Sequence, residues 1–177
     1  MLKIEKRRLP SAVGLNVIET MISFAKTAPE GCFVEVGVYK GGTASHLTEL
    51  AKKQKREIYL YDTFEGIPFQ SEIDIHKVGD FSDTNYELVK KSLPYAKVVK
   101  GIFPQSAMKM PPIAFVHIDV DQYYSYKSSL KYLKSKIVKR GIIWIDDYSM
   151  KGCVLAIEEE FKNKFINRIG NQAIIIL

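Results

Sequence analysis

Five short apolar runs, each followed by a polar or glycine-bearing turn, constrain the fold of this chain more than any other feature. They occupy residues 32–37, 57–62, 96–101, 113–119 and 141–146. The runs are continuous rather than alternating and are rich in Val, Ile and aromatic residues, which is typical of parallel strands covered on both faces. Each interval leaves room for one crossover helix. The pattern therefore predicts an α/β fold built from βαβ repeats.

Helical periodicity fills the gaps between these runs. Helices are predicted over residues 12–28, 43–55, 83–92, 125–138 and 152–164. Asp83 is suited to cap the third of them. The last residues, 165–177, predict a hairpin around Gly170 and Asn171. The expected architecture is a Rossmann-like, doubly wound, mostly parallel sheet with an antiparallel last strand, which binds ligands outside the carboxyl ends of its strands.

Composition narrows the class of protein. With 177 residues, one domain over residues 1–177 is expected, with residues 1–30 as a helical lead-in. Apolar stretches are too short for a membrane helix, and two cysteines, Cys32 and Cys153, cannot form a disulfide framework or a zinc cluster. A cytoplasmic protein is therefore predicted. The net charge of +6 is spread along the chain, which favours a solvated surface over a nucleic-acid site.

A glycine-rich loop follows the first run, within residues 35–45. Three glycines between a strand and a helix allow close backbone approach, and the helix start offers free N–H groups to a ligand. Gly37, Gly41 and Gly42 do not match the dinucleotide fingerprint, and the segment lacks the lysine of a phosphate loop. The pattern indicates a ligand loop of another kind, with a plain connecting turn as the alternative.

Acidic residues end three of the other runs. Asp62 ends the second, where a carboxylate typically accepts from ribose hydroxyls, although it could equally cap the next segment. The fourth and fifth runs are followed by acidic residues at what should be neighbouring strand ends: Asp119, Asp121, Asp146 and Asp147. Such a concentration of charge favours a bound divalent cation, and oxygen-only ligands favour Mg²⁺, Ca²⁺ or Mn²⁺. The alternative is that these aspartates cap helices.

Five motifs in this order resemble the macrocin O-methyltransferase family of class I S-adenosylmethionine (SAM)-dependent methyltransferases. They are E-V-G-V-Y-K-G-G-T-A-S, Y-D-T-F-E-G-I-P, G-D-F-S-D-T, H-I-D-V-D-Q-Y-Y-S-Y and R-G-I-I-W-I-D-D-Y. The resemblance covers about residues 30–161. It implies a seven-stranded methyltransferase sheet.

The resemblance also implies the cofactor site. The loop at Glu35, Gly37 and Gly41 would hold the methionine part of SAM, Asp62 the ribose, and Phe64 would lie near the adenosine. Four further residues of these motifs are assigned to the cofactor with them: Tyr39, Thr43, Ser45 and Thr63.

The implied chemistry is methyl transfer to a sugar hydroxyl with a bound Mg²⁺. Asp119, Asp146 and Asp147 would be the metal ligands, with Asp121 an alternative for the first. Asp119 and Asp121 are the predicted catalytic residues. The residues leave Asp121 and His117 open as the base, although a histidine inside an apolar run is more often a core residue.

Other side chains and partners follow from the same reasoning. Tyr123, Tyr124, Tyr126 and Tyr148 are candidates for an acceptor pocket. The long segment 66–81 is a candidate lid, and its His76 is expected to be exposed. The predicted partners are a small-molecule hydroxylated acceptor and a second copy of the chain in a homo-oligomer, with no membrane partner. One alternative is a non-catalytic SAM-binding module. The other is an RNA methyltransferase, and the absence of a basic and aromatic stripe in the sequence disfavours this second alternative.

Overall fold

The computed structural model of the chain describes residues 9–162 and 164–177. The first eight residues of the predicted lead-in therefore lie outside the described residues. The helices are α1 (Leu15–Thr27), α2 (Gly42–Lys53), α3 (Tyr86–Ser92), α4 (Tyr123–Leu133) and α5 (Lys151–Glu160). The strands are β1 (Cys32–Val36), β2 (Ile58–Asp62), β3 (Lys97–Lys100), β4 (Ile113–Ile118), β5 (Ile137–Ile145), β6 (Ile166–Ile169) and β7 (Gln172–Ile176).

Across the described residues, seven strands form one sheet in the order β3-β2-β1-β4-β5-β7-β6. The first five are parallel to their neighbours, and β7 runs antiparallel to both β5 and β6. The predicted fold class and the C-terminal hairpin are confirmed. Strand order reverses between β1 and β4, and this is where an α/β sheet opens a ligand crevice.

Helices cover both faces of the sheet, which is why the strands are apolar throughout. On one face, α1, α2 and α3 bury side chains such as Met21, Leu47 and Val89 against alternate strand residues. On the other face, α4 and α5 bury Leu130 and Ala156 in the same way. Each residue of β1 is buried. A strand covered on both faces has no alternation of polar and apolar residues, as the sequence pattern indicates.

The predicted helices form, but their boundaries differ from the prediction: the helix predicted over 12–28 spans Leu15–Thr27, and the one predicted over 152–164 ends at Glu160. Two further boundaries show the physical reason. The predicted helix over 125–138 ends at Leu133, and β5 begins at Ile137, because the backbone of Ile137 pairs with Ile113 of β4. The helix predicted to start at Asp83 starts at Tyr86, since the Asn85 side chain accepts the cap hydrogen bond from the Leu88 N–H. Helical spacing alone does not distinguish a continuing helix from a strand that gains a partner.

Candidate active site

The loop after β1 is held by the carboxylate at the end of β2. Asp62 Oδ2 accepts from the backbone N–H groups of Val38 and Tyr39, each at 2.7 Å, and its Oδ1 accepts from the N–H of Phe64 at 2.6 Å. Asp62 therefore fixes the glycine-rich loop and its own turn together. Each carboxylate oxygen has two lone-pair sites, so the group can still accept from a ligand hydroxyl.

Gly37 brings the first loop into direct contact with the fourth strand. Its φ is +90°, and a Cβ at this position would overlap the backbone carbonyl of Asp119. The N–H of Asp119 donates to the carbonyl of Val36 at 2.9 Å. Only glycine allows this approach, and the glycine loop and the acidic edge consequently meet at one point.

A cavity of about 300 Å³ opens at this point, a size within the usual range for small-molecule sites. Nine of the predicted site residues line it: Gly37, Tyr39, Thr43, Asp62, Thr63, Asp119, Asp121, Asp146 and Asp147. Both predicted ends of the site, the cofactor loop and the acidic edge, share this one cavity.

The other four predicted cofactor residues lie behind the cavity wall. Glu35 is fully buried and pairs with His117, and the Ser45 hydroxyl donates to the carbonyl of Gly42 at 2.6 Å. Gly41 is buried at the start of α2, and the Phe64 ring packs against another aromatic ring. These four residues do not line the cavity. They pack within the structure that supports it.

Three carboxylates meet where β4 and β5 end. One oxygen from each of Asp119, Asp146 and Asp147 lies within 4.8 Å of the other two. The backbone sets this arrangement, because the Asp146 N–H donates to the carbonyl of Ile118 at 3.0 Å and so continues the ladder between the strands. Of the two candidates for the first position, Asp119 belongs to the group and Asp121 lies beside it.

Burial and repulsion between neighbouring carboxylates raise the pKa of three acidic residues at the cavity, Asp119, Asp121 and Asp147. Burial, followed by the charges of Asp121 and Asp146, raises the pKa of Asp147 to about 7. The pKa of Asp119 is raised for the same reasons, with the charge of Asp147 the largest after burial. Burial and the charge of Asp146 raise the pKa of Asp121 to about 6. Perturbed carboxyl groups in a cleft are typical of functional sites, and a divalent cation would relieve the repulsion.

His117 is a buried residue of the sheet core. Its Nδ1 lies 3.1 Å from Glu35 Oε1, and both side chains are buried in the sheet. Burial lowers the pKa of His117, but the hydrogen bond and charge of Glu35 outweigh it and raise the pKa. Burial likewise raises the pKa of Glu35. The imidazole does not line the cavity, so of the two candidate bases only Asp121 has access to a bound acceptor.

Two expectations about the acceptor pocket were wrong. None of the four candidate tyrosines lines the cavity; Tyr126, for example, is buried and donates to the carbonyl of Ile118 at 2.9 Å. His76, expected to be exposed, lines the cavity instead. Its side chain is 28% exposed, and its Nε2 lies 3.9 Å from Asp121 Oδ1. The segment 66–81 folds back against the start of α4, and this tertiary contact turns His76 inward.

Sequence reasoning also missed part of the cavity wall. The residues it did not single out include Pro10, Ser11, Val13, Ile102, Phe103, Ser125, Ser129 and Met150. Ile102 and Phe103 follow β3, so the rule that ligands lie at strand carboxyl ends would have found them. Residues 10–13 carry no such indication. They reach the cavity because the segment before α1 packs on the glycine loop, where a Cβ on Gly42 would overlap Ser11.

Together, the strand order, the antiparallel final hairpin and the cavity at the β1 and β4 ends define the class I methyltransferase fold. The chain belongs to the macrocin O-methyltransferase (TylF) family, whose model matches residues 6–172. Among the described residues, no helix is long and apolar enough to cross a membrane.

Comparison with characterised and solved proteins supports this placement. A tetracenomycin-C 4'-O-methyltransferase from Streptomyces olivaceus, whose full name specifies an 8-demethyl-8-(2,3-dimethoxy-alpha-L-rhamnosyl) substrate, is 23% identical over 149 residues. The match covers 73% of this chain and 57% of that protein. This chain thus corresponds to little more than half the length of that relative.

Two solved structures share the fold. The O-methyltransferase NovP superposes with a TM-score of 0.81 at 19% identity, covering 94% of this chain and 81% of that chain. The calicheamicin methyltransferase CalS11 superposes with a TM-score of 0.75 at 18% identity, covering 92% and 77%. At these identities the likeness establishes the fold.

Proposed function

We propose that this protein is a SAM-dependent, Mg²⁺-assisted O-methyltransferase that methylates a hydroxyl of a small, sugar-bearing acceptor in the cytoplasm. One observation carries the proposal. The glycine loop after β1 and the three carboxylates after β4 and β5 open into the same cavity. A methyl donor on the loop and an acceptor at the carboxylates would then lie next to each other, which an in-line transfer requires.

The loop side of the cavity fits the cofactor. Gly37 leaves the backbone open to a ligand, and Thr43 places a side chain at the start of α2, where helix N–H groups face outward. Asp62 retains lone pairs for ribose hydroxyls after binding the loop. Tyr39 and Thr63 line the same wall. We assign Glu35, Gly41, Ser45 and Phe64 to the support of this loop.

The acidic side fits a hard divalent cation. Asp119, Asp146 and Asp147 offer only oxygen atoms, as Mg²⁺ requires. Burial and the surrounding carboxylates raise the pKa of Asp119 and of Asp147, which indicates negative charge that the neighbouring described residues do not neutralise. A cation held there would supply Lewis acidity, which lowers the pKa of an acceptor hydroxyl and orients its oxygen.

Asp121 is the residue that we propose removes the acceptor proton. It lines the cavity next to the proposed metal ligands, where a carboxylate can accept the proton of a bound hydroxyl. Its backbone has a φ of +57°, a costly conformation for a residue with a side chain. Such strain at a cavity wall is consistent with a side chain held for a task.

The acceptor class comes from the relatives. The Streptomyces olivaceus enzyme acts, by its name, on a rhamnosyl-bearing tetracenomycin, and a sugar hydroxyl fits a partly enclosed cavity that presents carboxylate oxygens. A cytoplasmic location fits the two cysteines, which are both buried free thiols. A homo-oligomer remains a prediction from the family resemblance.

The test separates binding, turnover and the metal. Calorimetry with S-adenosylhomocysteine (SAH) should show binding, and radiolabelled SAM should label a member of a rhamnoside panel only when Mg²⁺ is present. Asp146→Asn should abolish labelling and leave SAH affinity within about threefold, because it removes a proposed metal ligand and no proposed cofactor-binding group. Glu158→Gln, at an exposed carboxylate of α5 that does not line the cavity, is the control and should retain labelling.

Two outcomes would contradict the proposal. Full activity of Asp146→Asn in the presence of a chelator would remove the metal from the mechanism. SAH binding with no transfer to any acceptor would favour the non-catalytic binding module instead.

A further inference from the structure

The segment 66–81 is a closed loop that forms one wall of the cavity. Its two ends are tied together, because the Ile67 N–H donates to the carbonyl of Asp80 at 2.9 Å and the Gly79 N–H donates to the carbonyl of Ile67 at 3.0 Å. A loop closed at its neck moves as one unit. The position of His76 is therefore set by where the body of the loop is attached.

That attachment is to the start of α4. Asp74 Oδ1 accepts from the N–H of Tyr123, the first residue of α4, at 2.9 Å. Gln122, which is fully buried, donates from Nε2 to the backbone carbonyl of His76 at 3.0 Å. Since Gln122 directly follows Asp121, these bonds hold the backbone of His76 opposite the carboxylate that we propose as the base.

The imidazole of His76 is held from two further directions. Its ring meets the ring of Phe81 edge to face, with centroids 5.0 Å apart. Its Nδ1 lies 3.7 Å from Asp80 Oδ2, on the side away from Asp121. The other nitrogen, Nε2, faces Asp121 Oδ1 across 3.9 Å. Both His76 and Asp121 line the cavity, so the gap between them is open to a ligand that enters the cavity.

The gap leaves both facing atoms free for ligand oxygens. A separation of 3.9 Å is too long for a direct hydrogen bond between them, so each atom can bond a ligand oxygen of its own at about 2.8 Å. An imidazole nitrogen donates or accepts according to its tautomer, and a hydroxyl group does both. The pair is therefore suited to sugar hydroxyls rather than to an apolar or strongly charged group.

We propose that His76 is an acceptor-binding residue that hydrogen-bonds, through Nε2, the hydroxyl adjacent to the one that is methylated. Neighbouring oxygens of a sugar ring can then face His76 and Asp121 at the same time. This makes a hydroxyl with an oxygen substituent on the neighbouring ring carbon, rather than an isolated hydroxyl, the acceptor group that the site selects. The inference rests on the proposed methyltransferase function and assigns the substrate class of that same site.

The variants separate hydrogen bonding from packing. His76→Phe keeps an aromatic ring against Phe81 and removes both ring nitrogens. His76→Gln restores a group that can donate and accept. Calorimetry with SAH comes first, and both variants should match the wild type because neither removes a proposed cofactor-binding group and His76→Phe keeps the ring contact with Phe81. If the wild type does not bind SAH, the proposed function is contradicted, and so is the proposed role of His76.

Acceptor kinetics then test His76 itself. The probes are methyl α-L-rhamnoside and a rhamnosyl-bearing tetracenomycin, each compared with analogues that lack one ring hydroxyl. We expect His76→Phe to raise the acceptor KM about tenfold, the value of one hydrogen bond in a partly buried site, with kcat nearly unchanged. His76→Gln should recover part of this loss.

The decisive measurement compares kcat/KM for the full acceptor and for the analogue that lacks the adjacent hydroxyl, in the wild type and in His76→Phe. Removing the adjacent hydroxyl should cost the wild type about tenfold in kcat/KM and should cost His76→Phe almost nothing, since the bond is already lost. Equal losses in both proteins would overturn the proposal. It would also be overturned if SAH binds but no probe is methylated and none shifts the NMR resonances of the His76 ring.

Discussion

The Cα of Gly37 lies so close to the backbone of Asp119 that any Cβ at position 37 would overlap the Asp119 carbonyl. This contact joins the proposed cofactor loop to the first of the three clustered carboxylates. The two halves of the site are consequently coupled through the backbone, and neither can shift without moving the other.

Gly37→Ala should therefore disrupt the site and the fold together. The overlap is with backbone atoms and the φ of +90° is unfavourable for alanine, so a loss of several kcal/mol of unfolding free energy is expected. Gly79→Ala is the matched control, because Gly79 has a φ of +88° but open space where its Cβ would lie. It should cost only about 1–2 kcal/mol. Urea unfolding measures the free energy of unfolding of both variants. Equal losses of stability would show that the positive φ, and not the overlap with Asp119, accounts for the effect at position 37.

The acidic cluster predicts an unusual pH dependence of stability when divalent cations are chelated. The pKa of Asp147 is about 7 in the folded protein, against an ordinary value of 3.8 for an aspartate, so the folded state binds this proton more tightly than the unfolded state. Stability should then fall as the pH rises from about 4 to about 7. Thermal melts in a chelator should show this decline, and millimolar Mg²⁺ should reverse it.

Asp147→Asn provides the control for that measurement. Without the carboxyl group at this position, the decline with pH should become shallower and Mg²⁺ should stabilise the protein less. An identical pH profile in the variant and the wild type would show that the slope arises from other titrating groups.

The buried pair of Glu35 and His117 predicts a large difference between two substitutions. Glu35→Ala leaves the His117 imidazole unpaired inside the sheet and should cost about 3–5 kcal/mol. Glu35→Gln keeps a hydrogen-bond acceptor at the same place and should cost less. Chemical denaturation checks both. Glu57, which forms an exposed ion pair with Lys97, is the surface control for this buried pair. Glu57→Gln should change the free energy of unfolding by at most about 1 kcal/mol.

Asp74 predicts a link between the 66–81 segment and α4. Its Oδ1 caps Tyr123, and its Oδ2 accepts from the N–H and the hydroxyl of Ser71, at 2.8 and 2.7 Å. Asp74→Ala should lower stability by about 1 kcal/mol, as loss of a helix cap does. It should also increase proteolytic cleavage within 66–81. Glu72→Ala, at an exposed position of the same segment, should leave the cleavage rate unchanged; an equal increase would refute the anchoring role of Asp74.

Much of the fold is readable from the sequence because its determinants are local. The five apolar runs became β1 to β5, and the hairpin around Gly170 formed as expected. The boundaries of α4 and β5 were not readable. Whether Ile137 continues a helix or begins a strand depends on its pairing with Ile113, a partner distant in the sequence.

The candidate site divides in the same way. Asp62, Asp119, Asp146 and Asp147 could be placed on one cavity because the carboxyl ends of parallel strands converge. Glu35 could not be distinguished from a ligand residue, since its burial against His117 depends on the register between β1 and β4. The positions of the four candidate tyrosines likewise depend on how α4 and α5 pack.

The sequence by itself determined the class of sheet, the glycine loop and the acidic strand ends, since hydrophobic periodicity and residue chemistry act over short distances. Only the tertiary structure decided that Asp119 rather than Asp121 joins the three-carboxylate cluster, that residues 10–13 cover the glycine loop, and that His76 faces the cavity. Each of these depends on contacts between segments far apart in the chain, such as Gln122 with the backbone of His76. Such contacts arise from packing, which no local pattern encodes.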